Sequence, residues 1–154
     1  MSKPKIEVTK IHMGAEVTKV YYNLNGKAMM ASDDHNAESF DKAMNALVPH
    51  CIEIKELPEE AGEGYKCNAL SLTNKPVEQG DNRSVVISIT KMTAAGKADN
   101  MSTGQRLYEA AKSGVDVLPA KTTNAIKKAV TEAKQFITGH RDLTELYTQL
   151  ELAA

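Results

Sequence analysis

A chain of 154 residues, 42% hydrophobic and 25% charged, with 19 Lys and Arg against 20 Asp and Glu, has the size and balance of one globular domain. A net charge of −1 argues against a dedicated duplex-DNA binder, and five Tyr, two Phe and no Trp make a poor platform for stacking bases. No apolar run is long enough to span a bilayer and no charged-then-apolar leader opens the chain. The expectation is therefore a single domain over residues 1–154 in the cytoplasm, without a membrane partner.

The first third reads as a β-meander. Ile6-Glu7-Val8-Thr9-Lys10-Ile11 and Glu16-Val17-Thr18-Lys19-Val20-Tyr21-Tyr22 are rich in β-branched residues and alternate. Gly14-Ala15 separates them. Asn25-Gly26 marks a tight hairpin, because both residues tolerate positive φ, and a third strand follows around Lys27-Ala28-Met29-Met30-Ala31. In the polar stretch Ser32-Asp33-Asp34-His35-Asn36, Asp34 or Asn36 is placed to cap a helix. Phe40, Ala43, Met44 and Leu47 then form one apolar helical face, which Pro49 is expected to end. Residues 51–57 alternate weakly and fit a strand or a helix continuing past a kink. Residues 58–64 read as an acidic loop.

Two further strands are expected at 65–73, carrying Leu70 and Leu72, and at 84–92, carrying Val85, Ile87 and Ile89. Residues 74–83 between them read as a long polar hairpin loop, and 93–104, rich in small polar residues, as a mobile loop. Leu107, Tyr108 and Ala111 suggest a short helix ending near Gly114. Ile126, Val130, Ala133 and Ile137 stripe a longer helix that Gly139 closes. Asp142-x-x-Glu145 has capping-box spacing ahead of a final helix packed through Leu143, Leu146, Tyr147 and Leu150. The fold class is thus α+β: an antiparallel sheet of about five strands, from the N-terminal meander and a central hairpin. Helices pack on one face, and a helical pair ends the chain.

Few residues carry a chemical signature. Cys51 and Cys67 lack C-x-x-C spacing and read as buried thiols. His50 beside Cys51 is sequence adjacency, not the spatial pairing a thiol nucleophile needs. Asp33, Asp34 and His35, even with His12 and His50, do not match a metal-ligand spacing, so neither metal nor cofactor is expected. Gly62-Glu63-Gly64 and Gly96-Lys97 fall short of phosphate-loop patterns. The loop 94–104 is nevertheless a candidate anion site, because it is expected to run into a helix whose free N–H groups attract negative charge. Lys97, Asn100, Ser102, Thr103 and Arg106 are its candidate ligand-binding residues, against the plainer reading of a surface connector. Residues 121–141 hold four Lys and one Arg against one Glu. Lys127, Lys128 and Lys134 are the candidate partner-binding residues on that helix, against the plainer reading of a solvated face. Met13, Met29, Met30, Met44, Met92 and Met101 are read first as core.

The order of elements resembles small phage-encoded proteins of unknown function from early or recombination-associated gene regions. The likeness runs from the meander through Ser32-Asp33-Asp34-His35-Asn36 and the helix around Phe40 and Leu47 to the strand Ser84-Val85-Val86-Ile87-Ser88-Ile89-Thr90 and the C-terminal helices. It transfers no site residue. It implies a bacterial host cell and a role in phage DNA metabolism or in countering host defence. The leading expectation is a non-enzymatic binding protein, an accessory or counter-defence factor holding a small anionic ligand such as a nucleotide through the 97–106 residues. The alternatives are a protein-interaction module that inhibits or recruits a host protein through the basic helix, and an accessory factor that touches DNA there. A homodimer through the final helix is a further expectation, and an enzyme ranks last.

Overall fold

The computed structural model describes residues 6–34, 37–78 and 80–138. Seven strands form one antiparallel sheet: β1 (Ile6–Met13), β2 (Thr18–Leu24), β3 (Lys27–Asp33), β4 (Lys66–Val77), β5 (Gly80–Met92), β6 (Ala98–Ser102) and β7 (Arg106–Glu109). Their spatial order is β3-β2-β1-β4-β5-β6, and β7 pairs with β5 alongside β6. Three helices, α1 (Glu38–Asn45), α2 (Leu47–Ile54) and α3 (Ala120–Thr138), cover one face. The class is α+β as expected, with seven strands rather than about five. The final helix expected over residues 143–150, together with Gly139, lies outside the described residues.

The meander forms as its sequence dictates. Asn25 (φ 51°) and Gly26 (φ 85°) both adopt the left-handed region, and the β2–β3 register closes on them with Leu24 opposite Lys27. In β1 the apolar residues Ile6 and Val8 are in phase with each other but not with Ile11. A bulge between Val8 and Lys10 inserts one residue, so Val8 and Ile11 both enter the core. A second bulge in β4, between Cys67 and Ala69, likewise brings Cys67 and Leu70 to the same face. Without these two insertions the side-chain period of two would turn half of each strand's apolar residues to solvent.

Helix α1 buries Phe40, Ala43 and Met44. Its N-cap is Ala37, with no side-chain cap, in place of the expected Asp34; Asn36, the other expected cap, lies outside the described residues. Pro49 does not end the helix. The break falls at Ala46, and Pro49 is the third residue of α2, where the missing N–H would lack an intrahelical acceptor in any case. Residues 51–54 are therefore helical, and within the acidic segment Glu59–Gly62 forms one 3₁₀ turn. Three further expectations are corrected. The strands β4 and β5 continue through 74–83 to Val77 opposite Gly80. Residues 98–102 form an edge strand, not a mobile loop. Residues 106–109 are a strand, not a helix. All three lie at the periphery, where a strand buries little on either face and so carries little apolar alternation in its sequence.

The main core cluster lies between the sheet and the helices, and a second, smaller one gathers Ile6, Tyr22 and Leu24 with Met29, Ala31 and Ile137. Ile11, Val20, Leu70, Ile87 and Ile89 of the sheet meet Phe40, Met44, Leu47 and Ile126 of the helices, all of them at most 1% exposed. Phe40 and Phe136 stack at 5.6 Å with tilted planes, tying α1 to α3. Met44 fits the core reading, whereas Met92 (69% exposed) and Met30 (49%) do not.

Helix α2 ends with Glu56 at φ 57°, where the Leu57 N–H donates to the Ile52 carbonyl at 3.1 Å. An L-residue held there pays roughly 1–2 kcal/mol that glycine avoids, part of it offset by the greater freedom of glycine in the unfolded chain. Glu56→Gly is expected to stabilise the protein by roughly 0.5–1 kcal/mol. An unchanged or lower urea midpoint would contradict this reading of the helix end.

Candidate functional site

β1 and β4 pair for only three residues: Lys10 with Ser71, Ile11 with Leu70, and His12 with Ala69. Beyond Ser71, β4 keeps its ladder to β5, while the first half of β1 keeps its ladder to β2. The two strands part, and the gap between them opens into a cleft of about 530 Å³. That volume is within the range of about 300–1,000 Å³ usual for small-ligand sites.

Helix α3 supplies one wall. Its residues 126, 127, 130, 131 and 134 recur at helical spacing and all line the cleft. Ile126 is buried and Val130 half-buried, so the base of this wall is apolar, while Lys127 and Lys134 rise from it. The two lysines lie two turns apart, about 10.5 Å along the axis at about 1.5 Å per residue. Ile6 and Val8 of β1 and Leu72 of β4 complete the apolar surface.

The strand walls carry the opposite sign. Glu7 comes from β1, Asp81 from β5 and Glu109 from β7. Arg83 of β5 is engaged locally, with its Nε 3.2 Å from Glu109 Oε2. Both side chains are about half exposed (47% and 50%), so the pair contributes at most about 1 kcal/mol. Burial raises the Tyr108 hydroxyl above its ordinary pKa of 10, and Arg83 opposes that shift. The phenol is therefore a neutral hydrogen-bonding group at physiological pH. Lys127 and Lys134 have no ion-pair partner among the described residues.

The structure brings together only part of the residues singled out from sequence. Lys127 and Lys134 share the cleft, while Lys128 is exposed and outside its lining. Lys97 occupies the tight turn between β5 and β6, where its N–H meets Thr93 Oγ1. Arg106 opens β7. Ala98 pairs with Met92 and Arg106 with Val85, seven residues apart on β5, or about 23 Å at about 3.3 Å per residue. One small anion does not reach both charges. The helix that would have offered its N-terminus is a strand. Asn100 and Ser102 are paired in β6 with Thr90 and Ser88, and the Ser102 hydroxyl accepts from the Gly104 N–H at 3.1 Å. The Thr103 hydroxyl is occupied twice, accepting from the Ile87 N–H at 3.1 Å and donating to the Gly104 carbonyl at 2.7 Å. These contacts fasten the edge to β5.

Arg83, Asn74 and Tyr108 of the cleft were not legible in the sequence. Asn74 and Arg83 sat in an expected loop and Tyr108 on an expected helix, and only the strand pairing reveals their common neighbourhood. Among the described residues no three His, Cys, Asp or Glu side chains cluster as metal ligands would. His50 and Cys51 have separate roles. His50 Nδ1 is hydrogen-bonded to the buried Thr122 Oγ1 at 2.9 Å, joining α2 to α3, and Cys51 is buried with its thiol pKa raised by desolvation. Cys67 is also buried, and burial pushes its thiol up to about 12. Both are thiols rather than thiolates at neutral pH. Among the described residues, no helix is long and apolar enough to cross a membrane.

Burial, outweighing the attraction of Glu53, holds His50 below its ordinary pKa of 6.5, and Lys121 pushes the same way. The unfolded chain takes up a proton near 6.5 while the folded chain does not. Stability is therefore full above that pH and falls as pH drops through it toward the lower folded value. Denaturation midpoints measured between about pH 7.5 and 5 are expected to fall more steeply for wild type than for His50→Gln. Parallel profiles would show that the titration of His50 does not govern this response.

Compared with protein families, characterised proteins and solved structures, the chain has no match.

Proposed function

We propose that this protein is a non-enzymatic binding module whose site is the cleft between α3 and the parting strands, and that its ligand presents acidic groups to α3. The observation that carries this reading is the placement of Lys127 and Lys134 on one wall, above Ile126 and Val130 and without ion-pair partners among the described residues. An apolar base with a few convergent polar groups is the usual composition of a ligand site. The reading keeps the expected anionic ligand but takes it from the 97–106 edge to the basic helix. In the setting of the phage proteins that the chain resembles, such a module would act as an accessory or counter-defence factor.

Charged hydrogen bonds contribute about 1.5–3 kcal/mol each, so reversing both lysines should weaken binding at least ~100-fold. Native mass spectrometry of the purified protein is expected to show an anionic species that Lys127→Glu/Lys134→Glu loses. Lys128→Glu, and Lys97→Ala with Arg106→Ala, are expected to retain it. Loss in the Lys97/Arg106 variant instead would return the site to the sheet edge.

A further inference from the structure

The main chain of β4 adds information about what the cleft takes. In an antiparallel ladder, residues alternate between those whose N–H and C=O face the partner strand and those whose groups face away. Pro76 lies opposite Asp81 within the β4–β5 ladder. A proline has no N–H to contribute, and inside a sheet it is accommodated where its nitrogen faces away from the ladder. The pairing from Leu72 to Val77 has no bulge, so Asn74 and Leu72 share the orientation of Pro76. Leu70, two residues further back, pairs with Ile11 of β1 on that same side. Past Ser71 no described strand covers it. The Leu72 N–H closes the β1–β4 ladder next to the Lys10–Ser71 pair, so the edge offers the Leu72 C=O and the N–H and C=O of Asn74 along the cleft, and Pro76 ends it.

Resting on the reading of the cleft as the binding site, we infer that its occupant is an extended segment of a partner polypeptide. The segment adds beside β4 as a short strand and carries both apolar and acidic side chains. Its main chain pairs with Asn74 and with the Leu72 carbonyl. Side chains on its helix-facing side meet Val130 and Ile126, with carboxylates reaching Lys127 or Lys134. This is strand addition, in which backbone bonds provide the grip and alternate side chains the selectivity. The charge of the helical wall complements the segment's acidic side chains, which point toward it and away from the acidic strand walls. Pro76 suits a site that admits a short strand and resists open-ended pairing between sheet edges.

The test uses the full chain and a display library of random heptapeptides, followed by a synthetic copy of the selected sequence. Selection of peptides mixing apolar and acidic residues is expected. Binding of the copy should raise amide-exchange protection at Asn74. Asn74→Pro removes one outward N–H without touching the β4–β5 ladder, so it should keep the wild-type melting temperature and weaken binding at least tenfold. Asn74→Ala, which retains the N–H, should weaken binding far less than Asn74→Pro does. N-methylation of the peptide at alternate residues provides the same test without altering the protein, and should also weaken binding at least tenfold. A peptide that depends on Lys127 and Lys134 but is indifferent to Asn74→Pro and to N-methylation would overturn strand addition while leaving the cleft as the site. A peptide indifferent to both lysines would overturn the cleft reading itself. If no peptide is selected while inorganic phosphate or ATP binds in a manner dependent on Lys127 and Lys134, the occupant is a small anion and the inference fails. Two other results would also overturn it: concentration-dependent dimerisation abolished by Asn74→Pro, which assigns the edge to a second copy, and protection of the Asn74 amide already present in the free monomer.

Discussion

The pairing of β4 with β5 is the constraint on which the rest of this molecule depends. It runs from Lys66 opposite Thr90 to Val77 opposite Gly80, and it is much longer than the three-residue contact between β4 and β1. β5 also carries β6 and β7 on its other edge and sends Val85, Ile87 and Ile89 into the core. Each such side chain, fully buried, contributes roughly 1.5–3 kcal/mol. Strong pairing on one side of β4 and brief pairing on the other lets the hairpin diverge from the meander. The cleft is the geometric consequence of that imbalance.

Helix α3 serves two purposes because its faces are distinct. Thr122, Ile126, Ala129 and Ala133 are buried against the sheet and its neighbouring helices. The adjoining face, with Lys127, Val130, Thr131 and Lys134, looks into the cleft. Two contacts hold the helix at opposite ends, His50 with Thr122 near its start and Phe40 with Phe136 near its finish. The lysines are therefore presented from a rigid element, which reduces the ordering cost a ligand must meet.

Sheet edges are a hazard in antiparallel proteins, and this chain handles its edges differently at different places. At β6 and β7 the edge is tied down by side chains: Thr103 to Ile87, Gln105 to Ser84, and Asn82 to the Ala111 N–H. Tyr65 adds a 2.6 Å bond to Asp99 and receives Lys91 over its ring. Beside β4 the edge faces a cleft and is limited only by Pro76. That contrast sets the cleft edge apart from the edge at β6 and β7.

Local chemistry settled much of this protein before any tertiary contact. The Asn25-Gly26 turn, the apolar face of Phe40, Ala43, Met44 and Leu47, the alternation of Val85, Ile87 and Ile89 and the stripe on α3 follow from φ preferences and from the periods of helix and strand. The α+β class follows from their order. The bulges at β1 and β4 leave in the sequence only breaks in alternation, between Val8 and Ile11 and between Cys67 and Leu70. The edge strands at 98–102 and 106–109 and the extension of the hairpin through 74–83 gave no such signal, because strands with little burial need no apolar period and their order comes from backbone pairing with β5. The candidate site followed the same division. The charge of the basic helix was visible in sequence, but the assignment of Lys127 and Lys134 to the cleft, of Lys128 to solvent and of Lys97 and Arg106 to distant points of one edge was decided by where β1 leaves β4, a matter of pairing between residues sixty positions apart.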